Sequence, residues 1–164
     1  MEKQTMSIPG DPKRVLGHLK WTITETATGA TLGQGDRDLL LGEVKADSIN
    51  SEMGKLVHYS IPLSDGFNIS VATSPDDQTG FGLSAENTQQ ASFSWEWFQV
   101  NGQIATKLQE TGELKVAIEK GSLARAEFLT DVSVRIVPMD AAADPQNPKW
   151  RILIAKGSHF EIPR

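Results

Sequence analysis

The chain of 164 residues carries 16 basic and 21 acidic side chains and no cysteine, for a net charge of −5. Without thiols there is no disulfide framework, thiolate zinc site, iron–sulfur cluster or cysteine nucleophile. Residues 21–106 hold eleven acids against three bases, a local −8 that excludes a phosphate-backbone footprint and favours neutral or cationic ligands.

The first fourteen residues, MEKQTMSIPGDPKR, show neither the apolar core of a secretory signal nor any structural period. They read as a flexible N-terminal extension (1–14) ahead of a single β domain spanning 15–164, a natural size for one hydrophobic core. Aliphatic runs such as Leu39-Leu40-Leu41 are too short to cross a bilayer, so no transmembrane segment is expected. The expected location is the cytoplasm, with a secreted mature form as the alternative.

Period-two alternation then recurs along the chain. Val15, Gly17, Leu19, Trp21 and Ile23 share one face of the first clear strand, and the Thr- and Gly-rich stretch 26–35 reads as a turn or distorted hairpin. Residues 36–53 and 122–130 are open between strand and short helix. In 56–63, Val57, Tyr59, Ile61 and Leu63 alternate, and Ser64-Asp65-Gly66 turns the chain into Phe67, Ile69, Val71 and Thr73. A loop at 74–80, a short strand FGLSAE and the strongly strand-like ASFSWEWFQV (91–100) follow, the last ending on the hairpin dipeptide Asn101-Gly102. Leu114, Val116 and Ile118 alternate next, then residues 124–136. A long loop at 139–148 leads into Trp150, Ile152 and Ile154, with Phe160 and Ile162 extending the pattern. The fold class is all-β: a single-domain antiparallel β-sandwich or β-barrel of about eight to ten strands, with at most one or two short helices.

The aromatic cluster SFSWEWFQV is the most informative chemistry. Phe93, Trp95 and Trp97 share one face, and Ser92, Ser94, Glu96, Phe98 and Val100 the other. Large aromatics at period two belong to a core, so Phe93 and Trp95 are expected buried and Glu96 on the solvent side. The competing arrangement exposes the indoles for stacking on sugar rings or acyl groups and turns Glu96 into an interior, desolvated acid–base group.

Other motifs are missing. His18, His58 and His159 show no metal-ligand spacing, Asp36-Arg37-Asp38 and Asp76-Asp77 lack the rest of a calcium loop, and the phosphate-cradling and serine-nucleophile glycine motifs are absent. No metal, no cofactor and no nucleic-acid partner are therefore expected.

Three functional readings follow. The favoured one is a non-catalytic binding module that recognises a neutral or cationic carbohydrate, lipid headgroup or protein surface through Trp95, Glu96, Trp97, Tyr59 and His58. The second is a small barrel acting as a carrier, or as a cofactor-free cyclase or isomerase, for a hydrophobic ligand, with Glu96, Tyr59 or His58 as its acid or base. The third is a structural subunit, including a homo-oligomer, that associates through a sheet edge or an apolar face.

Overall fold

Alternating sequences become strands almost throughout. A computed structural model describes residues 2–51, 54–73, 80–89, 92–101, 103–107, 111–119, 122–138 and 146–163. In chain order the strands are β1 (Glu2–Met6), β2 (Val15–Glu25), β3 (Thr31–Leu40), β4 (Lys45–Ser51), β5 (Gly54–Pro62), β6 (Phe67–Thr73) and β7 (Gly80–Asn87). They continue as β8 (Ser92–Asn101), β9 (Ile104–Lys107), β10 (Glu113–Glu119), β11 (Ser122–Phe128), β12 (Val132–Pro138), β13 (Trp150–Ile154) and β14 (His159–Glu161). Between β3 and β4 lies a single 3-10 turn, Leu41–Glu43. Among the described residues no helix is long and apolar enough to cross a membrane.

The strands form one antiparallel sheet in the order β1-β4-β5-β6-β7-β8-β12-β13-β2-β14-β11-β10-β9, with β3 on the free edge of β2. The sheet forks twice. One edge of β8 pairs with β7, and its other edge is divided between β12, at Ser92 and Phe93, and β9, from Phe98 to Asn101. One edge of β2 pairs with β3, and its other edge is shared by β13 and β14. Gly17 makes the second fork: a Cβ there would lie 2.0 Å from the His159 carbonyl oxygen, so only glycine lets β14 approach. Both arms of the fork bury their residues in one continuous cluster, including Trp21, Ile23, Tyr59, Ile69, Val71, Leu114, Val116, Phe128, Val134, Ile152 and Ile154.

Several expectations change. The strand count is fourteen among the described residues, above the eight to ten expected. Part of the excess is β1: residues 1–14 were expected as an extension, yet Glu2–Met6 pairs antiparallel with β4 from Asn50 to Ala46. Gln4, Thr5 and Met6 are exposed, so this strand is held by backbone hydrogen bonds and leaves no hydrophobic period to read. Within the region 36–53, residues 36–51 are strand, 3-10 turn and strand, and 122–128 is β11, so neither described stretch is α-helical; residues 52 and 53 lie outside the described residues. The two predicted hairpins form. Asp65 (φ 52°) and Gly66 (φ 81°) make the left-handed turn between β5 and β6, and Asn101 pairs with Ile104 across the β8–β9 turn. Asp76-Asp77 and most of the 139–148 loop lie outside the described residues, as does the side chain of Phe93.

The largest correction concerns β8. Its register with β7 pairs Leu83 with Glu96 and Phe81 with Phe98, and paired residues share a face. Glu96 and Phe98 therefore point inward, 3% and 1% exposed, while Trp95 and Trp97 point outward. The reason lies on β7. Its inward positions Phe81, Leu83 and Ala85 are apolar, whereas Gly82 and Ser84 on the other face are small enough for indoles to lie over them.

Candidate functional site

The outward face of β4–β8 is organised in transverse rows set by the cross-strand register. One row runs Lys45, Ser60, Ser70, Ser84, Trp95. A second, beside it, runs Asp47, His58, Ala72, Gly82, Trp97, and a third runs Pro62, Asn68, Glu86. The three serines are short, so the first row becomes the floor of a trough and its neighbours the walls. Crossing five strands makes it about 19 Å long at ~4.8 Å per strand. It encloses about 760 Å³ and is lined also by Glu43, Ser64, Asp65, Gly66, Asn87 and Thr88.

Both ends are held in place. At the aromatic end the His58 ring meets Trp95 edge-on at 5.4 Å and 84°, and Trp97 lies 6.1 Å from Trp95 with planes 18° apart. Along the side, the Ser64–Gly66 turn is tied to the turn after β7: the Thr88 backbone N–H donates to the Gly66 carbonyl at 3.0 Å, and the Asn68 amide donates to the same oxygen at 3.3 Å. At the lysine end, Arg37 binds Glu43 at 2.7 Å and donates to the Pro62 carbonyl at 3.0 Å. Its guanidinium sits over the Trp21 ring at 5.6 Å. These contacts pre-form the trough, so a ligand need not order it.

The lining is polar and acidic. Glu43, Asp47, Asp65 and Glu86 supply carboxylates, Lys45 an ammonium, and the serines and asparagines hydroxyls and amides. Such a surface accepts and donates many hydrogen bonds, offers one aromatic wall and repels anions.

The five sequence candidates divide between the two faces. His58, Trp95 and Trp97 are brought together on the outward face. Tyr59 and Glu96 lie inward, on one row with Val71 and Leu83 between them, and Tyr59 is buried. Glu96 accepts from the Arg135 Nε at 2.9 Å. An acid–base constellation of Glu96, Tyr59 and His58 around one cavity is therefore not assembled. The serine floor, Asp47, Asn68 and Glu86 escaped sequence reasoning. Each is an ordinary polar position on an alternating strand, and only cross-strand register lines them up.

A second polar cluster lies on β2 and β3. His18 on β2 is bonded through Nδ1 to Asp38 at 2.8 Å and through Nε2 to Asp36, both on β3. Carboxylates accept hydrogen bonds, so a ring protonated at both nitrogens donates to both of them at once. The hydrogen bonds to Asp38 and then Asp36 hold the His18 pKa above the ordinary histidine value.

Comparison with protein-family models, curated proteins and solved structures finds no match for this chain. Function has to be read from the site itself.

Proposed function

We propose that this protein is a non-catalytic carbohydrate-binding module whose outward trough takes a neutral or amine-bearing glycan. The observation that carries the reading is the row Lys45–Ser60–Ser70–Ser84 closed by Trp95. A pyranose ring has an apolar face that stacks on an indole and a rim of hydroxyls that both donate and accept. The trough offers those two chemistries side by side, with serine hydroxyls on its floor and carboxylates and amides on its walls. A lipid chain would leave these polar groups unpaired, and an anionic headgroup would face Glu43, Asp47, Asp65 and Glu86. Tyr59 and Glu96 have no part in binding, since they face the core.

Calorimetric and tryptophan-fluorescence titration with neutral and amino-sugar oligosaccharides tests the reading. Saturable binding by the wild-type chain is expected, weakened at least about tenfold by Trp95→Ala with the melting curve retained. Absence of heat and of fluorescence change across both sugar classes sinks it.

A further inference from the structure

We propose that Trp97 is a second sugar-stacking platform, so that the ligand is a chain of at least two pyranose rings passing from Trp95 to Trp97 along β8. This rests on the carbohydrate reading of the trough. Trp97 is 51% exposed, the one aromatic among the large hydrophobic side chains that the described surface presents to solvent. Buried aromatics need no explanation in a β-domain, but an indole held in the open does.

The ring is not loose. It lies over Gly82, where an added Cβ would meet its six-membered ring at 3.0–3.3 Å. Gly82 is the cross-strand partner of Trp97, so glycine at that position is what seats the indole against the sheet. On the other side the ring runs within 18° of the Trp95 plane, with centroids 6.1 Å apart. That parallelism comes from the strand: residues two apart on one strand project from the same face in the same direction. Two parallel indoles at this separation repeat at about the length of one sugar unit in an extended chain, and Trp95 already lines the trough. A ligand ring stacked on Trp95 therefore places its neighbour against Trp97. Because the platform is pre-formed, its use carries little ordering penalty.

The test compares glucose with cello-oligosaccharides of two to six units, and N-acetylglucosamine with its own oligomers, on wild type, Trp97→Ala, Trp95→Ala and Gly82→Val. Wild-type affinity is expected to rise with the first added units by about five- to tenfold and then level off. Trp97→Ala removes that rise, weakening the oligomers more than the monosaccharide, whereas Trp95→Ala weakens every length. Gly82→Val, which keeps the indole but displaces it, reproduces the Trp97→Ala pattern, with near-ultraviolet circular dichroism confirming the fold. Trp97→Ala retaining the full wild-type gain overturns the second platform alone. A wild-type chain that binds no sugar of either series overturns the carbohydrate reading together with it.

Discussion

Glu96 and Arg135 form an ion pair at 2.9 Å just beyond the point where β8 parts from β12. The last paired residues there are Phe93 with Val137. Past them β8 turns toward β9, and the carboxylate and guanidinium fill the opening crotch. Glu96 is 3% exposed and the Arg135 side chain 23%, so neither charge is freely hydrated. The pair is a structural joint at the fork.

Glu96→Gln keeps the shape and removes the charge, leaving Arg135 with a weaker acceptor. The expected loss is about 1–3 kcal/mol in urea unfolding, below that of a fully buried pair because Arg135 retains some water contact. Oligosaccharide affinity should stay at the wild-type level, since the side chain faces away from the trough. A stable variant with abolished binding would contradict this placement.

Glycine is required where β14 crosses β2. Gly17→Ala drives a methyl into the His159 backbone, which cannot rotate aside, and should uncouple β14 from β2. Gly35→Ala meets the buried Trp21 ring at 2.2 Å and should destabilise by about 3 kcal/mol through overpacking. Gly29→Ala has open space and is strained only by its φ of +72°, so its loss should be about 1 kcal/mol. Thermal melts should rank the three in that order, and a Gly17→Ala protein as stable as Gly29→Ala would refute the close approach.

His18 should make stability depend on pH. Its folded pKa is raised by the hydrogen bonds to Asp38 and Asp36. The stabilisation is therefore complete below the unfolded value, near pH 6.5, and disappears as pH rises through the higher folded value. Above that value the neutral ring keeps one proton and can satisfy only one carboxylate as donor. Melting temperature of the wild type relative to His18→Gln should fall as the pH rises above about 6.5. Parallel curves for the two proteins would remove His18 from the account.

Arg37 joins β3 to the Glu43 turn and to β5 while its guanidinium covers Trp21. Lysine cannot reproduce this fork of donors, so Arg37→Lys should lower stability by about 1–2 kcal/mol. Because Glu43 and Pro62 line the trough, the same change should also weaken oligosaccharide binding, by less than Trp95→Ala does. Unchanged values of both would show that Arg37 supports neither.

Alternation in Leu19–Trp21–Ile23, Tyr59–Ile61, Val132–Val134–Ile136 and Trp150–Ile152–Ile154 was enough to read an all-β chain and most of its core, because a strand with one buried face repeats every two residues. Asp65-Gly66 and Asn101-Gly102 marked their hairpins for an equally local reason, the backbone angles that such turns require. The pairing of β1 with β4 had no such trace, since its described side chains face solvent and only backbone bonds hold it. The faces of β8 were undecidable from the strand itself, where Trp95 and Trp97 on one side compete with Phe98 and Val100 on the other. Pairing with β7 decided the matter: Leu83 and Phe81 drew Glu96 and Phe98 inward, and Gly82 and Ser84 left room for the indoles outside. Register between strands distant in sequence also aligned Ser60, Ser70 and Ser84 into a trough floor. The chain's acidic bias already favoured a neutral or cationic ligand over an anionic one, but a site is a set of residues on one face. Which strands lie side by side, and in what register, is settled only when the whole core packs.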